Sequence, residues 1–334
     1  MSKKIVFSGI RPTGEIHLGN YFGALQTWLR LMDEYDCIYA VVDQHALTTP
    51  FDAQAQPDIT FHTMAALMAV GLDPKRCHLM VQSEVIEHTE LAWILSCIAP
   101  LGQMERMTQF KDKSQQAPEH ITLGLLSYPA LMAADILVYR AQAVPVGEDQ
   151  VQHLELTRDL ARKFNNTYGE YLPEPEYILS QTPRIMGLDG KAKMSKTMNN
   201  YVSMFEPSDT LKQKIMTAVT DENRKRRSDP GTPEICNIYH LHKIFSSAEE
   251  VETVRVGCST AGIGCVDCKK MLLGNMENFI APYRDRYQNL QKNPDEVHQA
   301  VEEGISYCRP IAQETMENVK SRLGLGMGRK VAVR

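Results

Sequence analysis

His17, Leu18, Gly19 and Asn20 follow an apolar run, Ile5-Val6-Phe7, and a turn that carries Arg11, Pro12, Thr13 and Gly14. The order is strand, small-residue turn, helix start. The first N–H groups of such a helix have no intrahelical partner, and its dipole favours negative charge there. Gly19 lacks a Cβ, so a flat base or ribose can lie against the backbone, and His17 supplies a cationic or donor group. A second set lies far downstream: Lys191, Lys193, Ser195, Lys196 and Thr197, with Met194 among them. Three ammonium groups and two hydroxyls on one loop suit a triphosphate. Cys236, Cys258, Cys265 and Cys268 are spaced C-x21-C-x6-C-x2-C. Four thiols so placed can hold zinc or an iron–sulfur cluster, and spacing alone does not choose. Arg224-Lys225-Arg226-Arg227 could meet nucleic-acid phosphates in a chain whose net charge of −5 gives no global basic field.

One carboxylate stands out. Tyr128, Met132 and Asp135 are spaced i, i+4, i+7, which places them on one helical face. Asp135 lies inside Leu131-Met132-Ala133-Ala134-Asp135-Ile136-Leu137. A buried charge needs a donor, and Arg140 or Arg158 could supply it.

The elements that position these groups read as α/β, a Rossmann-like doubly wound parallel sheet followed by an all-α region. Strands are expected at Ile5-Val6-Phe7, Cys37 to Val42, Leu79 to Val81, Val144 to Val146 and Tyr177 to Leu179, with helices between them. Ligands of such sheets bind beyond the carboxyl ends of the strands, where Asp43-Gln44-His45, Gln82-Ser83-Glu84 and Gly147-Glu148-Asp149-Gln150 fall. Residues 88–140 read as an apolar helical insertion around a charged loop, Lys111 to Ser114, and its helices could be core or a dimer interface. The expected boundary gives domains 1–205 and 206–334, the second opening on Ser208 as N-cap and interrupted by loops at 224–232 and 257–268. The 334 residues allow two domains, and 43% hydrophobic with 23% charged content is that of a globular protein. No apolar run reaches the roughly 18 residues that span a bilayer, and the N-terminus does not read as a signal peptide. Eight cysteines then imply a reducing, cytoplasmic setting, with Cys37, Cys77, Cys97 and Cys308 as core residues.

HLGN and KMSKT together resemble the HIGH and KMSKS signatures of class I aminoacyl-tRNA synthetases. FSGIRPTGEIHLGNYFGAL, VVDQHALT, RMTQFKDKS, YPALMAADIL and VPVGEDQVQHLELTRDLARKFN, in that order, are similar to the tryptophanyl-tRNA synthetase family. Asn20 stands where the class has a final His, as is usual in this family, and Thr197 keeps the hydroxyl of the class serine. The resemblance implies activation of L-tryptophan with ATP and Mg²⁺, then transfer to tRNA(Trp), by a homodimer whose residues 206–334 bind the anticodon arm. It implies catalytic roles for His17, Lys193, Ser195, Lys196 and Thr197. It assigns ATP contacts to Arg11, Pro12, Thr13, Gly19, Asn20, Gly147, Glu148, Asp149, Ile185, Met194 and the KMSKT loop. In the family the residue matching Asp135 accepts the indole N–H. Tyr128, Met132, Gln150, Gln109, Phe7, His45, Val144 and Val146 match the rest of the amino-acid pocket. The segment CSTAGIGCVDCKK resembles a bacterial subset that holds a 4Fe–4S cluster, which favours the cluster over zinc at the four cysteines. Other readings are a nucleotide adenylyl transferase of the HIGH superfamily, or a non-catalytic RNA-binding protein that kept the fold.

Overall fold

The computed structural model describes residues 3–12, 14–116, 121–179 and 185–327, so Thr13 lies outside the described residues. The strands are β1 (Ile5–Ile10), β2 (Asp36–Val41), β3 (His78–Val81), β4 (Ala143–Val146) and β5 (Glu176–Leu179). Helices of the first half include α1 (Gln26–Leu31), α2 (Gln56–Ala69), α3 (Glu87–Ile98), α4 (Leu123–Leu137) and α5 (Val151–Tyr168). Those of the second half are α6 (Ser208–Thr217), α7 (Asn237–Phe245), α8 (Ala248–Ser259), α9 (Cys265–Lys292) and α10 (Pro294–Leu323).

The five strands form one parallel sheet in the order β3-β2-β1-β4-β5. The α/β reading holds, with every expected strand present. Central strands of a parallel sheet are covered on both faces, which is why β2 reads as an unbroken apolar run, Cys37 to Val41, and is buried along it. The order reverses at β1, where its neighbours are β2 and β4, and such a switch point opens a crevice at the carboxyl ends.

The described residues fall into two compact units. The sheet unit takes residues from 3–14, 26–179 and 293–327. Its core includes Leu91 and Leu95 of α3, Ala133, Ala134 and Leu137 of α4, and Cys308, Ala312 and Met316 of α10. A single cut near 206 would separate α10 from the sheet. In the structure α10 packs along β3, and Gly304 makes this possible, because a Cβ there would overlap the Leu79 carbonyl. Tyr307 stacks on His78 with ring centroids 3.5 Å apart and donates to Asp36 at 2.5 Å. An apolar stripe along α10 needs a surface to cover it, and β3 supplies that surface.

The second unit takes 15–25 and residues from 185–292. It holds a helical turn, Leu18–Asn20, a π-helix, Tyr21–Leu25, and helices α6 to α9. Tyr21, Phe22, Phe245, Phe279 and Tyr283 form its aromatic centre, with Phe22 stacked on Phe279 at 5.7 Å.

Local expectations fail in four places. Lys111 to Ser114 lies within a helix, Thr108–Gln116, because Lys and Gln are good helix formers despite their charge or polarity. Ser208 is the first residue of α6 rather than its cap. Pro207 holds the capping position, and the Ser208 hydroxyl donates to Glu277 at 2.8 Å. The segment 257–268 is mostly helical: Gly257 and Cys258 end α8, while Cys265 and Cys268 open α9. Cys97 is exposed, since it lies on the outer face of α3, away from Leu91 and Leu95. Among the described residues no helix is long and apolar enough to cross a membrane.

Candidate active site

The second unit brings the two phosphate motifs together. Leu18 N–H donates to the Val202 carbonyl at 3.0 Å, Met204 N–H donates to the Ile16 carbonyl at 2.8 Å, and His17 bridges Ser203. The strip that receives HLGN therefore lies directly after the KMSKT loop. His17 caps the turn: its Nδ1 accepts the Asn20 N–H at 3.3 Å, and Asn20 Oδ1 accepts the His17 N–H at 3.2 Å. Because Nδ1 accepts, the neutral ring carries its proton on Nε2. Burial, and then the nearby Lys196 ammonium, push His17 down to about 4. Of the two readings of His17, cation or donor, this favours the donor, since the ring is uncharged at neutral pH. Gly19 makes room for this ring, since a Cβ there would lie 2.9 Å from the imidazole and 3.5 Å from Met194.

The KMSKT loop is held by Asn200, which nothing in the sequence singled out. Its buried amide accepts the Ser195 N–H at 2.8 Å and donates to Asp189 Oδ2 at 3.0 Å and to the Lys193 carbonyl at 3.3 Å. The Met194 N–H donates to the Ile185 carbonyl at 3.1 Å, so these two nucleotide-site candidates are adjacent and both are buried. Burial lowers Lys196 despite the offsetting charge of Glu15. A half-buried lysine lowered in this way has lost part of its hydration.

The sheet unit holds the amino-acid side. Asp135 is 2% exposed and accepts three hydrogen bonds: from His88 Nδ1 at 2.7 Å, Gln82 Nε2 at 2.7 Å and His45 Nε2 at 2.8 Å. Burial alone would push this carboxyl up, but the two imidazoles outweigh it and hold it below the usual carboxylate range. Neither expected arginine is its partner. Arg158 lies toward Glu155 and Glu174, and the Arg140 guanidinium lies over Tyr171. Beside this group Tyr128 donates to Gln109 at 3.1 Å, and its hydroxyl is 2.7 Å from His153 Nε2. Phe7, Val144 and Val146 are buried, and Met132 is half-buried on the same helix as Asp135. At the carboxyl end of β4, Gly147 leads into the turn Glu148–Gln150, where Gln150 donates to Asp149 at 2.8 Å. Arg11 donates to Thr49 at 2.7 Å and is lowered by burial, Tyr128 partly offsetting this; Pro12 follows it, half-buried. His88 and His153 were missed by sequence reasoning, whereas Gln82 was placed at a ligand-side strand end without a role. For His88 a signal was present, since it shares an i, i+3, i+7 face with Leu91 and Leu95.

The four cysteines gather at the α8–α9 corner. The Cys268 thiol is pushed up to about 12, first by burial and then by Cys236, Cys258 and Cys265. Arg224 sits among them, its Nη1 3.8 Å from Cys258 Sγ and 3.9 Å from Cys265 Sγ, while Nη2 donates to the Arg227 and Ile263 carbonyls at 2.8 Å each. Among the described residues no three His, Cys, Asp or Glu side chains are arranged to hold a single metal ion. An all-sulfur donor set around a guanidinium suits an anionic cluster in its chemistry. Of the four cations expected to face RNA, Arg224 turns inward to the thiols, and Lys225, Arg226 and Arg227 are exposed.

A parallel sheet with a buried, hydrogen-bonded carboxylate, and a cationic loop tied to a helix-start turn, are parts suited to binding an amino acid and a nucleoside triphosphate. Residues 2–281 match the family described as tRNA synthetases class I (W and Y). The chain belongs to that family. It is 50% identical over 324 residues to the tryptophan–tRNA ligase of Deinococcus radiodurans, covering 96% of this chain and 98% of the relative. It is 44% identical to the Thermotoga maritima tryptophan–tRNA ligase, covering 96% and 99%. Among solved structures, tryptophanyl-tRNA synthetase from Campylobacter jejuni, complexed with ADP and tryptophan, superposes with a TM-score of 0.89 at 34% identity, covering 96% and 100%.

Proposed function

We propose that this chain is a tryptophan–tRNA ligase. The carboxylate of tryptophan attacks the α-phosphorus of ATP, pyrophosphate leaves, and the adenylate then esterifies the terminal ribose of tRNA(Trp). No enzyme nucleophile is needed, so catalysis is positioning and neutralisation of charge. The observation that carries this reading is the joining of HLGN to the strip after KMSKT within one compact unit. His17 donates from Nε2 to charge that develops at the phosphates, and Gly19 and Asn20 hold the helix-start turn against the nucleotide. Lys193, Ser195, Lys196 and Thr197 take the pyrophosphate, and Mg²⁺ arrives with ATP. Ile185 and Met194 flank the base, while Arg11, Pro12, Thr13, Gly147, Glu148 and Asp149 complete the nucleotide contacts. Tryptophan is taken by Asp135, Tyr128, Met132, Gln109, Gln150, Phe7, His45, Val144 and Val146. Pyrophosphate exchange measured with each of the twenty amino acids should respond to tryptophan alone. Exchange with tyrosine at a comparable rate would overturn the specificity.

The four cysteines would hold a 4Fe–4S cluster, which when bound supplies a covalent tie between the Cys236 loop, α8 and α9. Support comes from the pooling of the four thiols and from the cation among them. Iron and sulfide in equal amounts with absorption near roughly 400 nm are expected; a colourless protein containing zinc would refute it. Residues 206–334 serve the anticodon arm, with Lys225, Arg226 and Arg227 as phosphate contacts. The protein works in the cytoplasm as a homodimer. The dimer is supported by exposed Trp93 of α3, with exposed Ile86 just before that helix and exposed Leu101 and Leu123 after it.

A further inference from the structure

The Asp135 carboxylate has two unequal oxygens. Oδ1 accepts from both Gln82 and His88, each at 2.7 Å. A carboxylate oxygen offers two lone-pair directions, so Oδ1 is full. Among the described residues Oδ2 accepts from His45 alone, at 2.8 Å, which leaves one direction. The two sides also differ in what surrounds them. Next to the Oδ2 partner, the His45 ring meets the Tyr128 ring edge-on at 6.3 Å, and Tyr128 reaches Gln109. On the Oδ1 side lies solid core. His88 is fully buried, its Nε2 is 2.7 Å from the Tyr139 hydroxyl, and that hydroxyl lies 3.2 Å from Met80 Sδ. Tyr139 in turn stacks on Phe7 at 5.6 Å.

We propose that His88 is a positioning residue for tryptophan: with Gln82 it saturates Oδ1 and locks the carboxylate so that Oδ2 alone receives the indole N–H. This rests on the reading of Asp135 as the indole acceptor. A carboxylate can only accept, so His88 donates from Nδ1, and Tyr139 at Nε2 fixes the ring's rotation. Without His88 the carboxylate is held by Gln82 and His45 alone, Oδ1 regains an open direction, and the acceptor offered to the indole N–H is no longer unique. A buried polar contact of this kind discriminates most strongly against a ligand that lacks the matching group.

Two isosteric amides separate a positioning role from a packing role. In His88→Asn the amide nitrogen falls near the place of Nδ1 and keeps the bond to Asp135. In His88→Gln it reaches toward the place of Nε2 and keeps only Tyr139. Exchange kinetics are measured with tryptophan and with its benzothiophene analogue, in which sulfur replaces the N–H. The wild type should prefer tryptophan by on the order of a hundredfold in kcat/KM. His88→Gln should lose about tenfold or more of that preference, mainly through the KM for tryptophan, with the KM for ATP unchanged. His88→Asn should keep the preference within about threefold. Thermal unfolding of both variants checks that each is folded, and Tyr139→Phe, which removes one hydroxyl, should give a smaller loss in the same direction. Equal preference in the Asn and Gln variants, or equal losses for both ligands, would overturn the proposal. A wild type that uses the analogue as well as tryptophan would instead overturn Asp135 as the indole acceptor, and a wild type inactive with tryptophan would overturn the function itself.

Discussion

His17 shows how burial chooses between two readings of one side chain. A histidine beside a phosphate site reads as a cation or a donor, and a folded value of about 4 leaves it the donor, because burial and Lys196 both oppose the charge. The unfolded value is about 6.5, so between those limits the unfolded chain binds more protons. Stability therefore rises with pH through that window and is lost as pH falls from about 6.5 toward 4. His17→Gln removes the titration, so its urea midpoint should fall less than the wild type's between pH 7 and pH 5; parallel falls would contradict the assignment. Lys196 is a different case. Its lowered ammonium gains from an incoming anion, so Lys196→Ala should cut adenylate formation roughly a hundredfold or more and leave tryptophan affinity nearly unchanged. Equilibrium binding of tryptophan beside exchange rates reads both effects. Asp135 belongs with these two. Its helical face was legible in the spacing of Tyr128, Met132 and Asp135, but its donors were not, since His45, Gln82 and His88 come from three other segments.

Two long helices carry glycines with opposite roles. Gly304 of α10 lies against the backbone of Leu79, where a Cβ has no room. Gly274 of α9 has nothing within 4 Å. Gly304→Ala should destabilise the protein by about 2–4 kcal/mol as α10 lifts from β3. Gly274→Ala should stabilise it by about 0.5–1 kcal/mol, because alanine loses less entropy in a helix. Chemical denaturation of the two variants should show midpoints moving in opposite directions. The strands were legible because burial on both faces leaves continuous apolar runs. The corner at 257–268 was not, since its glycines and cysteines suggested a loop while backbone hydrogen bonding continued the helices around Cys258 and from Cys265.

For the molecule as a whole, unsatisfied surface is informative. Trp93 is 72% exposed on α3, a large apolar cost for a single residue. Covered by a second copy, it would be an anchor of the dimer. Trp93→Glu should therefore shift the protein to monomer in light scattering at micromolar concentration, with secondary structure unchanged; an unaltered mass would place the interface elsewhere. The compact units add a second point at this scale. Residues after 292 belong with the sheet, so a single division near 206, drawn from the helix start at Ser208 and the helical pattern beyond it, does not follow the packing.

The sequence by itself determined the parallel sheet, the order of its strands along the chain, and the HLGN, KMSKT and four-cysteine segments. These are local: a strand run, a turn with glycine, or a spacing is written in consecutive residues. Tertiary structure alone decided which groups meet. It tied HLGN to the strip after KMSKT, gave Asp135 its two histidines and a glutamine, and returned α10 to β3. It also turned Arg224 from solvent to the thiols, and made His17 neutral. The physical reason is common to all of these. Protonation, hydrogen-bond satisfaction and burial depend on neighbours in space, and those neighbours are set by packing between segments that lie far apart in the chain.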